Sequence, residues 1–262
     1  MHHVWHGTGK NKEVPGGTPV ATEALHHAFC SMASGTILML SIEQLEFDDW
    51  PGSANDPDTP RGPAKVIGDT VVESQPDGTV INEWRLSELI DPERVCYGSF
   101  ALFWVRKGYA DTNDWSHANA LTYDASDDSI LVSARHQDPV IKFSRAIGEL
   151  NWILGDHGNW KAPWSDRLLK PAAGLEWLYR QHNVSLTGDG GVMVFDNGSF
   201  RDVPFNKPRP APENYSRAVE FAVDEANKSV TQRWAFDAGR NSKYFSTFVG
   251  GATRLPETGN TF

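Results

Sequence analysis

The sequence predicts an all-β protein: an arc of about four β-propeller blades forming one domain over residues 1–262, incomplete at both ends. Three observations carry this expectation. Short apolar, β-branched runs alternate with Gly, Asn and Asp turns along the chain. A unit that starts on a histidine and ends on a strand recurs at long intervals, and a hairpin ending in tryptophan alternates with it. Paired hairpins repeated in this way are the signature of successive four-stranded blades.

In the first copy, Leu25-His26-His27-Ala28-Phe29 leads through Gly35 to the strand Ile37-Leu38-Met39-Leu40. Arg180-Gln181-His182-Asn183-Val184 leads through Gly190 to Val192-Met193-Val194-Phe195, with the same spacing from histidine to glycine. Ser116-His117-Ala118-Asn119-Ala120-Leu121 reaches Ile130-Leu131-Val132-Ser133 after a longer turn. Phe248 to Phe262 repeats the frame, with Gly251 in the histidine slot and Leu255-Pro256-Glu257-Thr258-Gly259 as the turn. The alternating hairpins run from Thr70 through Asp77-Gly78 to Trp84, from Pro139 through Gly148 to Trp152, and from Arg217 through Asn227-Lys228 to Trp234. Each closing tryptophan is expected to pack between neighbouring sheets. Insertions are expected at Glu43–Ala64, Pro92–Asp114 and Gly155–Leu178, with one short helix at Ala173–Arg180. Trp160 and Trp164 in the last insertion suit either loop packing or an aromatic substrate wall.

Composition narrows the function. A formal net charge of −10 argues against a nucleic-acid or anionic-membrane partner. Ten tryptophans exclude a disordered chain. No apolar run is long enough to span a bilayer, and the first residues carry neither a basic nor an apolar signal region. Cys30 and Cys96 leave redox state and compartment open.

The innermost strand of each blade lines the central channel, so equivalent positions from different blades converge there. His27, His117 and His182 share one slot and should meet in space. Arg135 follows the inner strand of the His117 unit and belongs near the same point. A histidine that merely caps a strand start is the plain reading of any one of them. Two other functions fit the same residues: a metal-dependent oxygenase with histidines around Fe(II) or Zn(II), and a non-catalytic binding or scaffold module. Arg135 opposes the metal, because a fixed cation beside a divalent ion is unfavourable.

Several motifs together resemble the bacterial arylsulfate sulfotransferase family, from about His26 to Phe262. They are Asp114-Trp115-Ser116-His117-Ala118-Asn119-Ala120, Ser133-Ala134-Arg135-His136-Gln137, Trp152-Ile153-Leu154-Gly155, Gln181-His182-Asn183-Val184, Phe195-Asp196-Asn197-Gly198 and the doubled His26-His27. The resemblance implies a six-bladed, usually periplasmic or secreted and often dimeric propeller that moves a sulfuryl group between phenols. Its implied partners are a small phenolic sulfate donor and a phenol acceptor, with no nucleic acid, membrane, cofactor or metal. A homodimer is implied for the full-length protein. The family ring needs more blades than this chain supplies, so the chain reads as a fragment.

Carried over by motif, His182 matches the nucleophile that becomes transiently sulfated. His117 and Arg135 match the pair that grips the sulfuryl oxygens, and Asn119 the asparagine beyond that histidine. The upstream histidine falls on His27 by repeat register, with adjacent His26 as the alternative. The cysteine pair of some members has no counterpart in Gly155–Arg180.

Sulfuryl transfer resembles phosphoryl transfer in its loose, charge-spread transition state, which is stabilised by positioning and electrostatics. Arg135 supplies a permanent charge and a planar donor fork. His27 and Asn119 can add donors. His182 must be neutral to attack, and neighbouring cations would hold it so. A phenol, with pKa about 10, is a competent leaving group. His117 could protonate it and later deprotonate the acceptor, completing a ping-pong cycle through a sulfohistidine.

Overall fold

The computed structural model describes residues 4–9, 14–237 and 244–262. A short parallel pair, β1 (Trp5–Gly7) and β2 (Thr18–Val20), leads into three successive antiparallel meanders. The first sheet orders β3 (His26–Ser31), β4 (Ile37–Trp50), β5 (Gly62–Ser74) and β6 (Val80–Arg85) side by side. A one-turn helix, α1 (Leu86–Leu89), closes it, and β7 (Thr112–Asp114) pairs in parallel with β5. The second sheet orders β8 (Ala118–Asp124), β9 (Ser129–Ala134), β10 (Val140–Ser144) and β11 (Leu150–Leu154). After β12 (Lys170–Pro171), the third orders β13 (His182–Leu186), β14 (Val192–Asp196), β15 (Arg217–Asp224) and β16 (Ser229–Phe236), with β12 parallel to β16. Beyond them, Thr253 and Phe262 exchange backbone hydrogen bonds across the turn at Leu255–Gly259, so the last repeat forms a hairpin. No sheet among the described residues closes on itself.

The middle sheet is buried on both faces, which is why its strands read as continuous apolar runs. Ile130, Val132, Ile141 and Phe143 share a core with Leu38, Leu40, Val71 and Trp84 of the first sheet. Leu131, Val140, Trp152 and Leu154 share another with Val192, Val194, Val219 and Phe221 of the third. Two of the three expected tryptophans occupy these seams. Trp84 packs on Phe143, with ring centroids 5.9 Å apart. Trp152 joins the second seam and donates to Glu225 at 2.9 Å. Trp234 lies under the guanidinium of Arg254, from the last hairpin.

Two local expectations are corrected. Glu43–Ala64 is strand over half its length: β4 and β5 stay paired from Glu43↔Gly68 to Phe47↔Ala64, and the loop proper is 51–61. Half-buried Leu45 and Phe47 alternate there with exposed Gln44, Glu46 and Asp48, a two-residue period masked by its charge. Ala173–Arg180 is not helical. Gly174 turns with φ of 80°. The N–H groups of Tyr179 and Arg180 are taken by the Asp196 and Asp138 carboxyls rather than by carbonyls one turn back. Pro92–Asp114 and Gly155–Leu178 are mostly loop, each with one short 3₁₀ turn and one short strand, β7 and β12. Trp160 and Trp164 pack against the first core, Trp160 beneath Arg94, and thus serve the loop. Both cysteines are free thiols. Among the described residues no helix is long and apolar enough to cross a membrane.

Candidate active site

The first strand of each sheet is irregular at its histidine. Pairing steps out of register between His26 and Phe29, between Ala118 and Ala120, and between His182 and Ser185. The backbone turns left-handed there, with φ of 50° at His27, 44° at His117 and 57° at Asn183. Such bulges re-aim side chains at a strand end. β3 and β13 both lie against β8, so three bulges from distant parts of the chain face one region.

His27 and His117 meet there, ring centroids 5.0 Å apart, with Phe103 edge-on to His117 at 4.9 Å. His26 turns away: its Nε2 bonds the Ser41 carbonyl at 3.0 Å and stands 3.2 Å from Asp69. Its Nδ1 meets Nδ1 of His27 at 2.8 Å, so His27 is the member facing the site and His26 its support. His117 Nδ1 is 2.5 Å from Asp114 Oδ2, and its ring stacks on His136 at 4.4 Å. Arg135 Nη1 lies 2.8 Å from His136 Nε2, and Nη2 donates to Thr247 O.

His182 is held by Asn197. The Asn197 Nδ2 donates to the Ser246 and Val249 carbonyls at 2.9 and 2.8 Å, which turns its Oδ1 to His182 Nδ1 at 2.6 Å. Nδ1 therefore carries the ring proton and Nε2 the lone pair, which accepts the Val249 N–H at 3.3 Å. Asn119 stands one layer back. Its Nδ2 donates to Gln181 O at 2.8 Å, tying β8 to the residue before His182. Its buried Oδ1 has no partner among the described residues.

The profile of the family described as Arylsulfotransferase (ASST) matches residues 7–262. The chain belongs to the arylsulfotransferase family. Curated relatives include "Arylsulfate sulfotransferase AssT" of Escherichia coli O6:H1 and of Lelliottia amnigena, each 29% identical over 222 residues. These matches cover 69% of this chain and 36% of each relative, so the chain spans little more than a third of their length.

In this family member His27, His117 and His182 are held neutral. Burial, and then neighbouring Arg135, push His182 down to about 4. Burial outweighs the attraction of Asp69 and takes His117 to about 3. Partial burial followed by His26 and His117 lowers His27, although solvent still reaches one side of its ring. Burial also raises Asp114 well above the usual carboxylate range. At this short Asp114–His117 contact, burial favours the uncharged forms of both the carboxyl and the ring. The potential ligand atoms of Asp114, His117 and His136 lie within 4.8 Å of one another. They are engaged at hydrogen-bond spacing, His136 Nδ1 on Asp114 O at 2.7 Å and His117 Nδ1 on Asp114 Oδ2.

Asp114, His136 and Asn197 were assigned no role from sequence, though all lie in the motifs that carry the resemblance. An acid three residues before His117 was the readable signal for the first. A cavity of about 730 Å³ lies between Phe195, Arg217, Trp234 and residues of the segment 244–262.

Proposed function

We propose that this chain bears the sulfuryl-transfer centre of an aryl sulfotransferase, a single domain built as an arc of propeller blades. The observation that carries this reading is the junction of three bulged first strands, which gathers His27, His117, Arg135 and a lone-pair-bearing His182 Nε2 in a member of this family. Face-to-face stacking of the three meanders supports the propeller.

In the first half-reaction, His182 Nε2 forms a bond to sulfur as the bond from sulfur to the aryl oxygen breaks, its electron pair leaving on that oxygen. His117 gives the phenolate the proton on Nε2 and regains one at Nδ1 from protonated Asp114. The phenol departs and a sulfohistidine remains. In the second, the acceptor phenol returns a proton to the Asp114–His117 pair as its oxygen bonds sulfur, and the N–S electron pair goes back to His182 Nε2. Arg135 and His27 stabilise the sulfuryl oxygens, and Phe103 offers the aromatic edge for a phenyl ring. Asn119 donates one of its two amide N–H groups to Gln181 O, which positions β13, and its second N–H can add a donor toward the sulfuryl oxygens.

The donor is then a phenolic sulfate ester and the acceptor a phenol. The family resemblance makes the setting periplasmic or extracellular, with a dimer for the full-length protein. Incubation with a chromogenic aryl sulfate and phenol tests the reading. Phenol-dependent release of chromophore, lost in His182→Ala and indifferent to chelator, supports it. Equal release from that variant, or dependence on stoichiometric iron or zinc, contradicts it.

A further inference from the structure

One buried cation leaves two side-chain nitrogens without an acceptor among the described residues, although its Cζ stands 5.9 Å from the Phe200 ring. Arg180 is 6% exposed, two residues before His182, and its Nε and Nη1 make no hydrogen bond among the described residues. A buried guanidinium left unpaired is costly, so a protein that keeps one points to a missing anion. The surroundings are built to hold it. A Cβ added to Gly98 would fall 1.5 Å from Arg180 Nη1 and 2.6 Å from Cδ2 of His136. The guanidinium therefore lies over the bare Cα of Gly98 and against the edge of His136. Arg135 reaches the same imidazole at Nε2, and its own Nε is also buried and unpartnered.

Two like charges are thus brought to one histidine edge, where repulsion should part them. Neither is free to leave. The Arg180 backbone sits at φ of 59° with its N–H bonded to Asp138 Oδ1 at 2.8 Å, and Arg135 is pinned on Thr247 O at 2.9 Å. Asp138 and Asp114 attract the Arg180 guanidinium, while burial raises both acids.

We propose that Arg180 and Arg135 form a two-guanidinium cradle for a tetrahedral sulfur oxyanion, with Arg180 a second ligand of the sulfuryl oxygens. The identity of that anion rests on the aryl sulfate reading; the cradle itself rests on the unpaired donors. Two guanidiniums bring two full charges to one oxyanion, where a single arginine with neutral histidines brings one.

The test is calorimetric binding of inorganic sulfate to the whole chain at constant ionic strength, with donor KM and kcat measured beside it. Wild type is expected to bind sulfate. R180M should weaken sulfate at least tenfold and raise donor KM, and R180K should recover part of the loss as a point charge without a fork. G98A keeps the arginine but crowds its guanidinium, so it should weaken sulfate with an unchanged circular dichroism spectrum, and it decides the matter if R180M fails to fold. Sulfate affinity and KM unchanged in G98A or in folded R180M, or no binding by wild type, would overturn the cradle. Transfer with unchanged sulfate binding in R180M sinks the cradle and leaves the aryl sulfate reading standing. Arg180-dependent sulfate binding without any aryl transfer does the reverse.

Discussion

Replacing Asn197 with leucine removes the acceptor that keeps the proton on His182 Nδ1 while keeping the branched side-chain shape. Asn197 is fully buried, and its amide makes three bonds: from His182 Nδ1 at 2.6 Å, and to the Ser246 and Val249 carbonyls at 2.9 and 2.8 Å. The bond that acts on the proposed nucleophile is the first. Losing a buried hydrogen bond and stranding its partner costs about 1–3 kcal/mol. At roughly 1.4 kcal/mol per tenfold, the first half-reaction should slow about 5- to 150-fold. The two stranded carbonyls add a loss of stability, read separately as a fall in thermal midpoint. Single-turnover release of phenol from a chromogenic aryl sulfate, at a temperature where both proteins are folded, isolates the step. Asn197→Asp is the contrasting variant. Its carboxylate keeps an acceptor on Nδ1 but favours the imidazolium, so the acid limb of the rate should move upward from its wild-type position. A single-turnover rate for N197L within twofold of wild type would show that Asn197 does not set the reactive nitrogen.

Three further outcomes follow from the same geometry. Burial holds His182 at about 4, so it stays neutral until the pH falls that far; single-turnover rates should be level from pH 7 to about 5 and decline only below, whereas a decline starting near 6.5 would mean an unperturbed imidazole. Arg217→Met strands buried Asp196, to which Arg217 Nε donates at 2.8 Å, and should cost about 3–5 kcal/mol, or roughly 6–20 °C in thermal midpoint. A shift under 2 °C in a calorimetric scan would show that Arg201 alone, 3.0 Å from the same carboxylate, suffices. Trp152→Ala opens the seam between the second and third sheets and should cost about 3–5 kcal/mol in urea unfolding, against near-neutrality if that seam were loosely packed.

The hairpins were legible because their strands are buried on two faces, so runs such as Ile130-Leu131-Val132 stand out from any turn. The seam tryptophans were legible for the same reason. What escaped notice depended on partners remote in sequence. The paired extension through Leu45 and Phe47 hides its two-residue period among acids. The stretch before Arg180 has helix-tolerant residues, but the side chains of Asp138 and Asp196 claim its backbone donors. At the site, the shared slot located His27, His117 and His182 because a repeat carries its bulge with it. It could not separate His26 from His27, since the choice rests on Asp69 and Ser41 bonding one of two adjacent rings. Nor could it show that Asn119 spends one donor on Gln181, or that Arg180 spends none among the described residues.

The central claim is that the sulfuryl group passes through His182 Nε2. Intact chain exposed to an aryl sulfate without acceptor, then digested and mapped by mass spectrometry, tests it directly. A sulfuryl adduct on His182 that disappears when phenol is added is the predicted result. Turnover with the adduct on another residue, or with none on any, would contradict it.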